Sequence, residues 1–214
     1  KWKAASDAGL WSDEIVPVHI PQRKGDPIVV ERDEHPRPEV TLEKLSTLNP
    51  AFSKDEDATV TAGNSSGVND GAAAIVLVEE SVAKEKGLQI LGYVGPSAAC
   101  GVDPSIMGTG PVQATNKLLR ATGLSVKEID RFELNEAFAA QALANGRAML
   151  DLGWDWSKVN VNGGAVSLGH PLGNSGSRIV VTLLNVLKQN NAKTGAAGIC
   201  NGGGGASAIV IELI

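Results

Sequence analysis

The spacing of apolar residues divides this chain near residue 88. From there on, short apolar runs alternate with segments of helical period. Strands are expected at Leu88–Ala98, Arg131–Leu134, 159–161, Gly195–Cys200 and Ser207–Leu213. Helices are expected at Pro111–Thr122, Ala137–Leu152 and Ser175–Gln189. Pro111 at a helix start and Gly123 after its end follow the usual asymmetry of helix termini. Ser125 and Glu128 have the spacing of a capping box. Before residue 88 the pattern is sparser. Residues 1–10 read as the end of an amphipathic helix stopped by Gly9. Residues 14–20 read as an edge strand because of Pro17. Residues 21–41, rich in Pro and charge, form a surface excursion with a short strand at Ile28–Val30. Thr41 caps a helix running to Leu48. A Gly/Asn/Ser loop at 61–71 leads into an apolar run, Ala72–Val78, that reads as a buried strand, followed by a helix over Glu79–Lys86.

Alternating strands and helices imply an α/β layered domain from residue 88 to the end. The strand expected at 72–78 needs neighbours that no earlier segment of this sequence offers. That lack, together with a helix already under way at Lys1, suggests that a preceding portion is missing.

Composition narrows the function classes. With 43% hydrophobic and 20% charged residues, 214 residues can bury a sizeable core. A net charge of -5 makes the whole molecule no counterion for nucleic acid, and no apolar stretch is long enough to span a membrane. Two cysteines make no disulfide framework, so a reducing, intracellular compartment is expected, the cytoplasm first, with an organelle left open. His19, His35 and His170 lack metal-ligand spacing, and the sequence holds no phosphate loop, dinucleotide fingerprint or Gly-x-Ser-x-Gly elbow.

Three polar centres follow expected strands: Asn135-Glu136-Ala137-Phe138, the glycine-rich segment around His170, and Cys200 before Asn201 and four glycines. In α/β sheets, ligands gather beyond the carboxyl ends of strands, so Asn135, His170 and Cys200 are expected to share one site. The helix from Ser175 would aim free N–H groups at developing negative charge. The unshielded N–H groups of the glycine run suit an oxyanion hole. Taken singly, His170 in its glycine-rich turn, the lone Cys200 and the glycine run at 202–205 read first as a structural turn, a buried small hydrophobe and a tight crossover. Their common sheet edge favours a nucleophile, a base and oxyanion donors, the groups thioester chemistry needs.

The segments 162–176 and 198–206 resemble the two C-terminal signatures of the thiolase family, and Asn135-Glu136-Ala137-Phe138 resembles its asparagine motif. The likeness extends over the whole chain, including Gly101-Val102-Asp103-Pro104 through Met107-Gly108, and is nearest to the acetyl-CoA acetyltransferase branch. The resemblance implies a layered α/β/α thiolase-like domain at 88–214. It makes 1–71 part of the loop, CoA-binding domain, and 72–87 a strand-helix piece completing an absent N-terminal domain.

It also implies roles. His170 would activate a nucleophilic cysteine and, with a water held by Asn135, form one oxyanion hole. Cys200 would be the acid/base toward the second CoA substrate, and the Gly202 N–H part of a second oxyanion hole. Ser66 would touch the pantetheine, Arg37 and Phe52 would lie near the adenine end, and Met107 and Phe138 would line the acyl pocket. Phe52 and Phe138 read equally as core residues, and Arg37 as a solvated charge. Coenzyme A and acyl-CoA would be substrates, with no permanently bound cofactor and no metal.

The family's acyl-accepting cysteine lies in the N-terminal half, which is not in this sequence. Cys100 does not match its context and reads as buried and inert. The implied reaction converts two acetyl-CoA to acetoacetyl-CoA plus CoA and back, and needs the missing half; the assembled enzyme is expected to be a homo-oligomer, dimer or tetramer. A non-catalytic CoA-binding module, a longer-chain 3-ketoacyl-CoA thiolase and a decarboxylating ketoacyl synthase are the alternatives; Cys200 argues against the last.

Overall fold

The computed structural model describes residues 1–214. Ahead of residue 88 lie α1 (Trp2–Asp7), a two-stranded ribbon of β1 (Val18–Ile20) and β2 (Ile28–Val30), α2 (Leu42–Ser46) and α3 (Glu80–Glu85). The expected caps form. Thr41 Oγ1 accepts from the Lys44 N–H, satisfying one of the donors that α2 leaves free. Gly9 takes a positive φ of 69° after α1. Trp2, Ala5 and Trp11 make a small cluster with Leu168, so α1 braces the segment that leads to His170.

The expected strand at 72–78 is absent. The run pairs with no other strand, and Val76 and Leu77 stand 86% and 71% exposed. An extended segment becomes a strand only where a neighbour satisfies its N–H and C=O groups, and none lies alongside.

The second part of the chain is the α/β layered unit. It holds β3 (Gly92–Gly101), α4 (Gly110–Thr122), β4 (Arg131–Leu134), α5 (Ala139–Ala148), α6 (Ala165–Leu168), α7 (Ser175–Gln189), β5 (Thr194–Cys200) and β6 (Gly205–Leu213). The sheet order is β3-β6-β5-β4; β4 and β5 run parallel and the other pairs antiparallel. The strand expected at 159–161 is reduced to one bridge between Val159 and Phe132, because Asn160 turns the chain away at φ 44°. Pro104–Thr109 is a 3-10 segment capped by Asp103.

Each face of the sheet is covered. On one, Val112, Ala114, Leu118 and Leu119 of α4 and Ala142 of α5 pack on Phe132, Ala196, Ala208 and Val210. On the other, Ile179, Leu183 and Leu187 of α7 pack on Ala197 and Ile211. The alternation of residues 196/197 and 210/211 between faces is the period of two of a pleated strand. On α7 the buried positions 179, 183, 186 and 187 form one helical stripe. This is a layered α/β/α arrangement, and it sets the carboxyl ends of β4 and β5 side by side.

Candidate active site

The register of β4 and β5 fixes the site. Leu134 lies opposite Gly198, so Asn135 and Cys200 sit one and two residues past that pair on the same edge. The Asn135 N–H continues the ladder, donating to Gly198 O at 2.9 Å. The Asn160 side chain clamps the end of β4: its Oδ1 accepts from the Leu134 N–H and its Nδ2 donates to Leu134 O, both at 2.8 Å. The same Nδ2 donates to Glu136 Oε1 at 2.7 Å, and Glu136 Oε2 accepts from the Val166 N–H at the start of α6. One asparagine thus ties the strand exit carrying Asn135 to the loop carrying His170.

That loop then returns to the edge. Gly169 has φ 98°, and a Cβ there would stand 2.1 Å from Asn69 Oδ1, so only glycine permits the approach. The His170 N–H donates to Gly67 O at 2.9 Å. Its ring is held at both ends: Nε2 is 3.4 Å from Asn135 Nδ2, and Nδ1 is 2.6 Å from Ser175 Oγ. Asn135 and Ser175 are wholly buried. Asn135 Oδ1 has no partner within the chain, which suits an atom meant to hold a water or a substrate group.

Cys200 ends β5 and is buried. The turn after it, Gly202–Gly204, lies against the Val102 backbone: the Val102 N–H donates to Gly204 O at 2.8 Å. Gly204 has φ 91°, and a Cβ would meet Val102 O at 2.1 Å. The Met107 segment packs against this turn, and Met107 itself is half-buried.

Electrostatics separate the two central groups. Burial pushes the His170 imidazole below its ordinary 6.5, with the Arg178 charge a second cause in the same direction. Burial pushes the Cys200 thiol above its ordinary 9.0, against a smaller pull from its own backbone N–H. At neutral pH the imidazole is unprotonated and the thiol protonated, which suits a base beside an acid.

The loop at 61–71 docks on the same exit. Ser66 donates through both N–H and Oγ to Ala137 O, at 3.0 and 2.8 Å, and Ser65 bridges to Phe138. Phe52 and Phe138 meet edge to face at 5.7 Å. The Arg37 side chain is exposed and curls onto its own segment, donating to Glu34 O and His35 O, with no hydrogen bond to the other candidate residues. His35, in contrast, lies against Gly67, close to the His170 contact. Cys100 is half-buried rather than buried, with its Sγ on Gly110 O at 3.4 Å. Two clefts of about 450 and about 530 Å³ elsewhere share no residue with this centre.

Sequence reasoning missed three residues here: Ser175, Glu133 and Arg178. Glu133 had a signal, since a carboxylate inside the apolar run Phe132–Leu134 must be buried on one face of a strand. Ser175 and Arg178 had none beyond their place in the first turn of α7.

The model of the thiolase C-terminal domain matches residues 88–213, and that of the thiolase N-terminal domain matches residues 1–81. The chain belongs to the thiolase family. Thiolase relatives include an acetyl-CoA acetyltransferase of Allochromatium vinosum, 52% identical over 99% of this chain and 52% of its own length. Another, from Cupriavidus necator, is 51% identical over 99% of this chain and 53% of its own. Among solved structures, the Bacillus anthracis acetyl-CoA acetyltransferase superposes with a TM-score of 0.93 at 47% identity, covering 100% of this chain and 52% of that one. The human mitochondrial 3-ketoacyl-CoA thiolase in complex with CoA gives 0.91 at 46%, covering 100% and 51%. The chain spans about half the length of the thiolase relatives it matches.

Proposed function

We propose that this chain supplies the base, the second acid/base group and the oxyanion donors of a CoA-dependent C-acetyltransferase. The reaction is the interconversion of two acetyl-CoA with acetoacetyl-CoA plus CoA. The observation that carries the reading is the contact of His170 Nε2 with Asn135 Nδ2 at the sheet edge where Cys200 ends β5.

The chemistry follows from the protonation states. An acyl-accepting thiol, on a segment this chain does not hold, gives its proton to the neutral His170 Nε2, and the thiolate attacks the thioester carbonyl. The resulting imidazolium, with a water on Asn135, stabilises the oxyanion, and the collapsing intermediate expels CoA thiolate, which takes the proton of the Cys200 thiol. In the second half, the Cys200 thiolate so formed takes a proton from the α-carbon of the incoming acetyl-CoA. The carbanion attacks the acyl-cysteine carbonyl, and the cysteine leaves as thiolate and recovers its proton from the His170 imidazolium. The Gly202 N–H, in the turn just after Cys200, would stabilise the enolate oxygen. Ser66 with Phe52 and Phe138 beside the 61–71 loop, and Met107 against the Gly202 turn, would line the way for CoA and acyl group, and Arg37 would lie near the adenine end. We place the reaction in the cytoplasm, in a homo-oligomer.

A longer-chain 3-ketoacyl substrate is the second reading, favoured by the near-equal likeness to the human mitochondrial 3-ketoacyl-CoA thiolase. One experiment tests both: CoA-dependent cleavage of acetoacetyl-CoA, and of 3-ketoacyl-CoA of increasing length, by the chain alone and mixed with a thiolase N-terminal half. The expected result is no turnover alone and recovery on mixing, greatest for acetoacetyl-CoA. Turnover by the chain alone, abolished by Cys100→Ser, would show that Cys100 is the nucleophile and sink the two-part reading.

A further inference from the structure

We propose that Ser175 is a positioning residue that holds His170 in one tautomer, with the proton on Nδ1 and a bare Nε2 facing Asn135. Its bearing on catalysis rests on the acyl-transfer reading above, while its geometry stands independently of it.

The hydrogen-bond inventory around the ring decides the proton's place. Ser175 Oγ is 2.6 Å from His170 Nδ1 and 3.1 Å from Pro171 O. A hydroxyl has one proton and two lone pairs, and a carbonyl oxygen only accepts. Pro171 O accepts from the Ser175 N–H at 2.9 Å and also from the Ser175 hydroxyl, which leaves a lone pair of Oγ to accept from Nδ1–H. At the other end of the ring, an amide nitrogen only donates, so Asn135 Nδ2 facing Nε2 requires a lone pair on Nε2. Both ends give the same tautomer. Turning the Asn135 amide over would demand a proton on Nε2 and would strip Nδ1 of the proton that Ser175 is set to accept.

Ser175 is wholly buried, so no bulk water can replace either bond. It is the first residue of the 15-residue α7. The positive end of that helix disfavours an imidazolium beside it, as does Arg178 one turn on. The ring is therefore neutral and carries a single proton between two nitrogens. The bridge from ring to Pro171 carbonyl also fixes the ring's rotation, since Pro171 adjoins His170 in the chain. Without the Ser175 hydroxyl, Nδ1–H loses its acceptor, and the proton is better placed on Nε2. A ring protonated at Nε2 has no lone pair there to accept a thiol proton.

The test is long-range 1H–15N correlation on the whole chain labelled at histidine nitrogens, at a pH where the rings are neutral. His170→Gln assigns the signal, and His19 and His35 serve as internal references. The expected wild-type pattern has a protonated Nδ1 and a bare Nε2. Ser175→Ala should move the proton wholly or largely to Nε2, while Ser175→Thr, which keeps the hydroxyl, should preserve the wild-type pattern. A wild-type ring with its proton on Nε2 overturns the proposal even if Ser175→Ala does not fold. So does an unchanged pattern in a folded Ser175→Ala. In the mixture with the N-terminal half, Ser175→Ala should lower kcat at least tenfold with little change in KM. If the wild-type mixture shows no turnover, the acyl-transfer reading falls, and the tautomer result still decides the role of Ser175.

Discussion

Arg178 faces Glu133 beneath the His170 centre, with Arg178 Nη1 3.6 Å from Glu133 Oε2. Glu133 lies on β4 two residues before Asn135, is 1% exposed, and neither carboxyl oxygen has a hydrogen bond. Its burial outweighs the attraction of Arg178 and pushes its pKa up to about 8. Glu14 and Asp33, also raised chiefly by burial, share the Arg178 charge.

This pair makes stability depend on pH in a defined direction. An acid whose folded pKa exceeds its unfolded value keeps its proton in the folded chain after the unfolded chain has lost it. The folded state then binds more protons, and stability falls as pH rises from about 4.5 toward about 8. The lowered pKa of His170 acts oppositely but only below its unfolded value, 6.5, and the raised Cys200 acts only above 9.0. Between about pH 6.5 and 8, urea midpoints should fall with pH in the wild type, by the equivalent of ~1–2 kcal/mol. Glu133→Gln should flatten that slope. An equally steep slope in the variant would mean that Glu133 is ionised throughout.

The core of α7 gives a second expectation. Leu183 is wholly buried, and its side chain fills the space that Gly195 leaves on β5, where a Cβ would stand 2.6 Å from Leu183 Cδ1. Leu183→Ala should cost about 2–5 kcal/mol in urea unfolding, the range for a buried leucine whose cavity cannot collapse. A loss below 1 kcal/mol would show that α7 moves in to close the gap.

The sequence made most of this fold legible where local chemistry and packing agree. Gly123, at φ 74°, ends α4 as its place after Thr122 suggested, and the Ser125–Glu128 capping box is formed. Asn135, His170 and Cys200 were readable as one edge because each was placed at or after an expected strand, although only β4 and β5 form and the segment before His170 keeps a single bridge at Val159. The apolar run 72–78 misled because its pattern reports a preference for strand, while a strand also needs a neighbour. Val159–Val161 misled similarly, since Asn160 is spent on clamping Leu134 and Glu136 instead of continuing a ladder. The link between His170 and Ser175 was hidden, because a serine starting a helix is ordinarily an end cap, and only the folded loop shows its hydroxyl against an imidazole.

The loop at 61–71 can be loosened at one atom. Removing the Ser66 hydroxyl deletes its bond to Ala137 O and leaves the backbone bond from the Ser66 N–H in place. Ser66→Ala should destabilise the chain by only ~1 kcal/mol. In the mixture with the N-terminal half, the loosened loop should raise KM for CoA severalfold, with kcat nearly unchanged. A fall in kcat at constant KM would place Ser66 in the chemistry instead of in CoA binding.

The opposed shifts of His170 and Cys200 give the last expectation. His170 acts as a base only while neutral, and its lowered pKa keeps it neutral to below its ordinary 6.5. Cys200 is held as a thiol to above its ordinary 9.0. The pH profile of kcat/KM in the reconstituted mixture reports the free groups. Its acid limb should therefore lie below 6.5 and its alkaline limb above 9.0, a bell wider than unperturbed groups would give. His170→Ala should lower kcat about 10²–10⁴-fold and remove the acid limb, and Cys200→Ser should remove the alkaline one. A narrower bell, with limbs drawn inside those two values, would mean that the two groups are exposed to water or ion-paired in the assembled enzyme, and that burial at the edge of β4 and β5 is not what sets their protonation.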